Sequence, residues 1–299
     1  MSKTNHRYKE LKTSEGFTLI RMKRSGLYNF LTPEGELLTK VILIDARPFK
    51  HGVARVQLLN RSWRFLKTDG TFINEDEYCS ANDFHNGFAT VECLQKGWNF
   101  LKQDGTLLSE TYFMMVRDFE SGVARVKTKD GSWNILKEDG TLIIIEEKIL
   151  EFWDFYEGFA CVSTDSNKWT YVDTNGKIIS KERYLAVYEF RNGLGTVRRS
   201  VREYNFMTPE GTILSEEWYY DHIPYLTGGV FLVNRADGTG NFVKSDGTLL
   251  SEKWFDHVGF FEDDVAVIRL GDKYNYLKLD GTLLWEEWQD KPYAPNKEE

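Results

Sequence analysis

The chain has 299 residues and a net charge of −8, and charged residues make up 28% of it. Aromatic residues reach 15%, with nine Trp and twenty Phe, which supplies a hydrophobic core and excludes an intrinsically disordered chain. The negative charge disfavours non-specific binding to nucleic acid or to an anionic membrane. No apolar signal segment or membrane-spanning run is present, so we expect a cytoplasmic protein. Three cysteines, an odd number, predict free thiols rather than a disulfide framework.

In chain order, the sequence divides into a polar N-terminal segment at 1–12, an array of repeats at 13–291 and a tail at 292–299. We expect the N-terminal segment and the tail to be frayed. The array is marked by an Asp-Gly-like turn signal that occurs eight times. Its glycines are Gly35, Gly70, Gly105, Gly140, Gly176, Gly211, Gly247 and Gly281. They are 34 to 36 residues apart, which predicts a single repeat architecture. The repeats are numbered one to eight by these turns.

The third repeat illustrates the elements predicted for all of them. Strand one covers 88–92, strand two covers 98–102, and a third strand at 106–110 follows the turn. A return segment at 112–119 leads to the next repeat, and it is predicted either as a short fourth strand or as one helical turn. The helical alternative comes from apolar residues at spacing three in this segment. A helical-hairpin repeat is excluded because no stretch keeps a period of about 3.6 residues.

The type of the Asp-Gly turn follows from its proline variants. In repeats one and six, Pro33 and Pro209 occupy the turn, and proline holds φ near about −65°, which a type I′ turn does not accept there. We therefore predict a type I turn closed by a left-handed glycine that forms a G1 bulge.

Two further columns recur inside the predicted strands. Strand one carries small residues at Thr18, Ala54, Ala89, Ala124, Ala160, Gly195 and Ala266, with Phe231 as the exception. Strand two begins with aromatic residues at Tyr28, Trp63, Trp98, Trp133, Trp169, Tyr204 and Tyr274, with Gly240 as the exception. We expect the aromatic rings to pack on the small residues. In repeat seven, we expect Phe231 to fill the space of the ring missing at Gly240.

These columns resemble the bacterial WG-repeat family, whose units read Phe-x-x-Gly-x-Ala-x-Val followed by Lys-Trp-Gly-Phe-Ile-Asp-x-x-Gly. The matching residues include Phe49, Gly52, Ala54, Val56, Trp63, Phe65 and Gly70, and in repeat five Phe155, Gly158, Ala160, Val162, Lys168, Trp169, Tyr171, Val172, Asp173 and Gly176. The resemblance covers nearly the whole chain. It departs at the family's second glycine, where this chain has Asn29, Arg64, Asn99, Asn134, Thr170, Asn205, Asn241 and Asn275. The resemblance implies an interaction scaffold and no catalytic residues.

The fold class predicted is all-β, with eight β-meander repeats that must stack because none buries a face alone. We expect a closed eight-bladed β-propeller, with an open twisted β-solenoid as the alternative. Thr13 in repeat one and Asp264 in repeat eight depart from the pattern of the other repeats. Such departures fit either the caps of a solenoid or the seam of a ring.

The sequence contains none of the common nucleotide-binding or metal-binding motifs, so we predict no catalytic, cofactor-binding or metal-binding residues and no cofactor. His51, His85, His222 and His257 fall on repeated positions, which is typical of a surface rim. The acidic pairs, such as Glu216-Glu217, recur in the same way and are interpreted as a solvated edge.

Charges define two edges of the predicted meander. The loop after strand one carries a base in every repeat: Lys23, Arg61, Lys96, Lys129, Lys168, Arg202, Arg235 and Lys273. Arg198, Arg199 and Arg202 form the strongest local cluster of charge. We expect these bases to interleave with Glu110, Glu216, Glu217, Glu252, Glu286 and Glu287 as surface pairs. The opposite edge gathers Glu34, Asp69, Asp104, Asp139, Glu210, Asp246 and Asp280, and we predict an acidic face there.

The leading hypothesis for function is a non-enzymatic scaffold or adaptor that binds another protein. The alternative is a module that binds a carbohydrate or small ligand through the repeated Trp/Tyr column. A looser likeness to cell-wall choline- or glucan-binding repeats, seen at Tyr274, Tyr276 and Gly281, belongs to that alternative. An enzyme would need an asymmetric site, for which the irregular seventh repeat is the candidate, with Pro224, Gly228, Gly229, Phe231 and Gly240. Exposure of the Trp column in a groove would favour ligand binding, whereas packing on the alanines would make it core.

Overall fold

A computed structural model describes residues 7–165, 167–223 and 229–292. The chain forms two compact units, Met1–Glu146 and Glu147–Glu299, called here the N-terminal and C-terminal units. Every regular element among the described residues is a β-strand, so this part of the chain contains no helix that could cross a membrane. The all-β prediction is confirmed.

The N-terminal unit contains the first thirteen strands. They are β1 (Tyr8–Ser14), β2 (Phe17–Met22), β3 (Tyr28–Leu31), β4 (Leu43–Ala46), β5 (Val53–Leu58), β6 (Trp63–Lys67), β7 (Ser80–Ala81), β8 (Phe88–Cys93), β9 (Gly97–Lys102), β10 (Met115–Val116), β11 (Val123–Lys127), β12 (Trp133–Lys137) and β13 (Leu142–Ile143).

The C-terminal unit contains twelve strands within the described residues. They are β14 (Glu151–Tyr156), β15 (Phe159–Asp165), β16 (Lys168–Asp173), β17 (Ala186–Arg191), β18 (Leu194–Ser200), β19 (Glu203–Met207), β20 (Asp221–Ile223), β21 (Val230–Asn234), β22 (Gly240–Lys244), β23 (His257–Glu262), β24 (Val265–Leu270) and β25 (Lys273–Lys278).

The repeating sheet has three antiparallel strands: the return strand, strand one and strand two, as in the order β7-β8-β9. The first two repeats join into a six-stranded sheet, β1 to β6. The predicted third strand is wrong for most repeats, because the run after the turn makes a single bridge to strand two, such as Leu101 to Leu107. Repeat four is the exception, where β13 adds a fourth strand to its sheet.

The N-terminal boundary predicted from the sequence also needs correction. Residues 8–12, assigned to a frayed polar segment, form most of β1, which pairs with β2 from Tyr8 opposite Met22 to Ser14 opposite Phe17. This return strand completes the first sheet, although most of its side chains are exposed. The predicted tail lies outside the described residues from position 293 onward.

The predicted turn type is confirmed. In repeat one the N–H of Gly35 donates to the carbonyl of Thr32 at 2.9 Å, and the N–H of Thr32 donates to the carbonyl of Glu36 at 2.8 Å. Gly35 has a φ of +85°, the left-handed conformation that a G1 bulge requires.

The return segment is a strand with a bulge, so the helical alternative is wrong. In the eighth repeat Val258 pairs with Ile268 and Phe261 pairs with Ala266, with a register shift between the two pairs. A bulge adds one residue to one strand, and it therefore brings apolar residues to the same face at spacing three instead of two. This is why the sequence pattern imitated a helical turn.

The hydrophobic cores lie between successive sheets within each unit. One core combines Phe30 of strand two in repeat one with Phe49, Ala54 and Val56 of repeat two. The next core combines Phe65 of repeat two with Phe84 and Ala89 of repeat three. Strand two and strand one are thus buried on both faces, and each core draws its side chains from two repeats.

The small column does not pack on the rings that begin strand two. Trp63 pairs with Gln57 and Ala54 pairs with Leu66, and the two side chains contribute to different cores on opposite faces of the sheet. At Gly195, an added Cβ would lie 2.6 Å from the Phe190 ring and 2.7 Å from the Tyr171 ring. The ring partners of the small column are therefore the leading Phe and the second aromatic residue of the preceding strand two.

The explanation predicted for repeat seven is also wrong. Phe231 packs against Phe206 of the preceding repeat, with ring centroids 4.6 Å apart. The space beside Gly240 is occupied by Asn234 and Val258, whose Oδ1 and Cγ2 atoms would lie 2.8 and 3.0 Å from an added Cβ. Phe231 and Gly240 therefore contact different neighbours, and the large residue does not compensate for the small one.

Candidate interaction surface

The loops of each sheet lie at the two opposite ends of its strands, and these two ends are called here the loop edge and the turn edge. The loop edge holds the connections between strand one and strand two, and the turn edge holds the Asp-Gly turns together with the hairpins that enter strand one. Candidate residues from the sequence fall on both edges.

The bases of the loop edge are paired with carboxylates in repeats seven and eight. Arg235 makes two hydrogen bonds to the Glu217 carboxylate, at 2.7 and 3.0 Å, and its guanidinium stacks 3.9 Å above the Trp254 ring. Lys273 Nζ lies 2.5 Å from Asp290 Oδ1. The predicted interleaving of charge is confirmed for Arg235 and Glu217.

Other loop-edge bases lie over aromatic rings. Arg202 stacks 4.6 Å from the Tyr220 ring centroid, and Lys96 Nζ lies 5.4 Å from that of Tyr112. Arg199 stacks 4.1 Å over Trp218 and bonds both oxygens of Glu203, and this guanidinium lowers the pKa of the Glu203 carboxyl. Within the arginine cluster of repeat six, Arg199 is thus paired with a carboxylate, and Arg198 and Arg202 lie over tyrosine rings.

An exposed apolar patch on the loop edge escaped sequence analysis. Val41, Ile42, Leu58 and Leu59 surround an open cavity of about 530 Å³ together with Asn60. Leu59 is 67% exposed and Ile42 is 50% exposed. Val41 and Ile42 come from the return segment of repeat one, and Leu59 comes from the loop of repeat two. The only sequence signal was an adjacent apolar pair in each segment.

The turn edge is not the acidic face that the sequence predicted. Thr71 donates its hydroxyl and its N–H to Asp69, at 2.6 and 2.8 Å, and these bonds lower the pKa of the Asp69 carboxyl. Lys67 Nζ lies 3.3 Å from Asp69, and Lys102 Nζ lies 3.7 Å from Asp104. Strand two ends in lysine in several repeats, and this lysine balances the charge of the turn that follows.

The Trp column is half-buried at Trp63, Trp98 and Trp169, and Trp133 is 8% exposed. Arg55 stacks 4.7 Å over the Trp63 ring, and Trp153 lies 4.9 Å from the Trp169 ring. Neighbouring side chains therefore cover part of the Trp63 and Trp169 rings, which disfavours these two residues as an open platform for a sugar.

The residues at the position of the family's second glycine hold the segment after the turn through side-chain hydrogen bonds. Asn205 is fully buried, and its Nδ2 donates to the carbonyls of Ser215 and Glu217 at 2.7 and 3.0 Å. Its Oδ1 accepts from the N–H of Phe206 at 2.8 Å. Asn99 and Asn241 make the same bonds in their repeats. These side-chain bonds replace the backbone ladder of the third strand that the sequence predicted.

The remaining candidates do not converge on a reactive site within the described residues. Pro224 and Gly228 of repeat seven lie outside those residues, as does the side chain of His222. His257 is exposed, and His51 and His85 lie on the turn edge. In the described part of the chain, no group of three or more His, Cys, Asp or Glu side chains is arranged to hold a metal ion. The three cysteines are free thiols.

Several solved structures show distant similarity. A computationally designed protein, Ika8, has 13% identity over 93% of this chain and 95% of its own, with a TM-score of 0.32. BamB from Moraxella catarrhalis has 12% identity over 97% and 98%, with a TM-score of 0.32. The WD40 β-propeller domain of Doa1 has 10% identity over 79% and 89%, with a TM-score of 0.27. TM-scores this low do not establish a common fold. No curated protein matches the sequence.

The model of the WG-containing repeat matches residues 169–199 and 242–274. Each matched stretch runs from strand two of one repeat into strand one of the next, and therefore spans the two halves of one hydrophobic core. The resemblance inferred from the sequence is confirmed for these stretches, which match the WG-containing repeat.

Proposed function

We propose that this protein is a non-enzymatic scaffold that binds another protein through the loop edge of its N-terminal unit. The observation that carries the proposal is the apolar patch of Val41, Ile42, Leu58 and Leu59. Val41, Ile42 and Leu59 are exposed, and Leu58 is half-buried against the core beside them. An apolar surface of this kind, surrounded by polar residues, is typical of a protein-binding site.

The setting of the patch supports a protein partner. Asn60 and Arg61 stand beside Leu59, and Lys40 precedes Val41, so a polar rim borders the apolar centre as in protein interfaces. The loops that carry the patch are anchored: the N–H of Leu58 donates to Ser62 and the N–H of Arg61 donates to Leu58, both at 2.9 Å. A rigid apolar surface loses little conformational entropy on binding.

As part of the same proposal, the chain has no catalytic activity and its partner is another protein in the cytoplasm. The repetition of polar groups supports this, because each conspicuous arrangement, such as the Asn column or the Asp-Thr turn, recurs in several repeats. An enzyme needs one asymmetric site. The eight-bladed β-propeller also remains a proposal, supported by the even period of eight repeats, with the open β-solenoid as its alternative.

The test is a pair of matched variants. The full chain, its Ile42→Asp/Leu59→Asp double variant and its Val201→Asp variant serve as baits in native-host lysate, and the protein captured is identified, purified and titrated by calorimetry. Val201 is the control because it is 73% exposed in the corresponding loop of repeat six.

We expect the double variant to weaken binding by at least about tenfold, which corresponds to about 1.4 kcal/mol, while Val201→Asp binds like the wild type. Equal affinity of all three proteins would reject the patch as the binding surface. Saturable quenching of Trp fluorescence by a glycan, without a protein partner, would favour the carbohydrate alternative.

A further inference from the structure

The turn edge contains a repeated backbone device that holds a carboxylate. Strand one is entered through a two-residue hairpin in which both residues have positive φ, for example +53° at His51 and +77° at Gly52. The hydrogen bonds of such a hairpin join the residues that flank the turn, as between Lys50 and Val53. The N–H groups of the two turn residues are therefore left to point outward as a pair.

In two places the preceding repeat supplies a glutamate to this pair. The two carboxylate oxygens of Glu15 accept from the N–H groups of His51 and Gly52, at 2.6 and 2.8 Å. In the C-terminal unit, Glu157 accepts from Asn192 and Gly193 at 3.0 and 2.8 Å. Glu15 and Glu157 are themselves the first residues of the preceding hairpins, so the same position provides the acceptor in both units.

The hairpin of repeat three has the same backbone but no such acceptor. Asn86 and Gly87 have φ values of +47° and +85°, and the flanking residues His85 and Phe88 exchange hydrogen bonds at 2.8 and 3.0 Å. The position that holds Glu15 and Glu157 elsewhere is occupied by His51. The side chain of Asn86 is engaged with the carbonyl of Phe119 at 3.0 Å, and among the described residues no acceptor bonds the N–H groups of Asn86 and Gly87.

The surroundings of this N–H pair are positively charged and open. A surface cavity of about 450 Å³ is lined by Lys50, His51, His85, Asn86 and Gly87 together with Phe84 and Gln103, and no carboxylate is among these residues. An added Cβ at Gly87 would meet no atom within 4 Å. The cavity thus offers two aligned N–H donors, an ammonium group and two imidazoles that donate hydrogen bonds.

We propose that this cavity is a binding site for an external carboxylate, which the N–H groups of Asn86 and Gly87 hold as their counterparts hold Glu15 and Glu157. Charge-assisted hydrogen bonds to a carboxylate are shorter and stronger than neutral ones. The ammonium group of Lys50 provides a favourable charge, and the imidazoles of His51 and His85 provide further hydrogen-bond donors. The ligand is either a small carboxylate or the Asp or Glu side chain of a bound protein. The site lies on the turn edge and does not rest on the apolar patch of the proposed function.

The substitution His51→Glu tests the proposal by supplying a carboxylate from the protein itself. A glutamate at position 51 would occupy the N–H pair of Asn86 and Gly87 as Glu15 occupies that of His51 and Gly52. The backbone accepts it, because Glu15 and His51 have the same φ of +53°. His51→Gln is the matched control, since it has the length of glutamate but no charge. Glu15→Gln is the reciprocal variant, which frees the N–H pair of His51 and Gly52.

The measurement is the amide chemical shift of Asn86 and Gly87 in the full chain, titrated with sodium acetate against sodium chloride at equal ionic strength. We expect saturable downfield shifts with acetate, a weaker but still saturable response in His51→Gln, which loses one imidazole donor, and no response in His51→Glu. In Glu15→Gln, the amides of His51 and Gly52 should become responsive to acetate as well. The blocked peptides acetyl-Ala-Glu-Ala-amide and acetyl-Ala-Gln-Ala-amide identify the source of the ligand.

A Glu peptide that binds more tightly than acetate assigns the site to protein side chains, and equal affinity assigns it to small carboxylates. Failure of both acetate and the Glu peptide to move the Asn86 and Gly87 amides overturns the proposal. An acetate response of His51→Glu equal to that of the wild type overturns it too. None of these results depends on Ile42 or Leu59, so this proposal and the proposed function are tested independently.

Discussion

Phe231 packs against Phe206 at a centroid distance of 4.6 Å, which is the distance at which the leading phenylalanine of other repeats meets the preceding strand two. The corresponding distances are 4.8 Å for Phe30 and Phe49, and 4.7 Å for Phe242 and Phe261. Phe231 occupies a position of the small column, yet its ring makes the contact that a leading phenylalanine makes in other repeats. The residue five positions earlier, where that phenylalanine would stand, is Leu226, which lies outside the described residues.

This relationship predicts that Phe231→Ala opens a cavity rather than restoring the pattern of the other repeats. Phe231 is 2% exposed, and removing a buried phenylalanine costs about 3 to 5 kcal/mol of unfolding free energy. Ala89→Phe should be destabilising as well, because the ring of Phe84 already occupies that core. Urea denaturation of both variants measures the effect. An unchanged midpoint in Phe231→Ala would contradict the packing described here.

The turn glycines separate backbone strain from close packing. Gly35→Ala should cost about 1 kcal/mol, because its φ is +85° and an added Cβ would meet nothing within 4 Å. Gly211→Ala should cost clearly more, since its Cβ would overlap the carbonyl oxygen of Ile179 in addition to the strain of a φ of +86°. The two variants are compared by thermal and urea unfolding. Equal losses of stability would show that the contact with Ile179 relaxes freely.

Asn205→Ala should loosen the loop that follows the sixth turn. The substitution leaves the carbonyls of Ser215 and Glu217 without their buried donor, which costs about 1 to 3 kcal/mol. Thr170→Ala is the milder comparison, because Thr170 makes one 3.3 Å bond to Ser180. Hydrogen exchange of residues 214–219 should accelerate in Asn205→Ala. Unchanged exchange would mean that the backbone alone holds this loop.

Acid should weaken the fold through the Asp-Thr turns. The Thr71 and Thr106 hydroxyls and amides lower the pKa values of Asp69 and Asp104 below their usual range, and Asp139, Asp246 and Asp280 behave alike. A depressed folded-state pKa contributes stability above the unfolded value of about 3.9, and this stability is lost as the pH falls through the folded pKa. The urea midpoint should therefore drop in this acidic range.

Thr71→Val supplies the specific control for this pH dependence. In that variant the pKa of Asp69, followed by NMR, should rise toward its ordinary value while that of Asp104 stays where it is. If Thr71→Val leaves the pKa of Asp69 unchanged, Lys67 rather than Thr71 lowers that pKa.

The three thiols should differ in reactivity toward Ellman's reagent. Cys79 is exposed and should react first. Burial raises the pKa of the Cys93 thiol, and it raises that of Cys161 to about 12. Because the thiolate is the reactive form, Cys161 should react only when the protein unfolds. Fast labelling of Cys161 in the native protein would show that its core opens readily.

The sequence predicted the repeats, the all-β class and the turn type, because glycine and proline act through local backbone geometry. It did not predict that strand three shrinks to a bridge, since the Asn side chains compete with the backbone ladder through bonds ten residues away. It also placed Trp63 on the wrong face relative to Ala54. Alternation along a strand cannot be counted through the connecting loop, and a shift of one residue moves a side chain to the other face.

The candidate surfaces were harder to foresee for a different reason. Leu59 and Ile42 look like core residues in the sequence, and only their exposure reveals the patch. The carboxylate site depends on backbone N–H groups, which have no sequence signature, and on the absence of a glutamate at position 51. Comparison of that position among the hairpins, two of which carry Glu15 and Glu157, was the one signal available.

Because each core combines the second aromatic residue of strand two in one repeat with the leading phenylalanine and the small residue of the next repeat, the boundary drawn between repeats in the sequence is arbitrary. Within either compact unit, a deletion or duplication of one full period leaves every interior position facing a neighbour of the expected size, wherever the cut is made. The pair of Phe206 and Phe231 is the exception, and those two repeats would have to be gained or lost together.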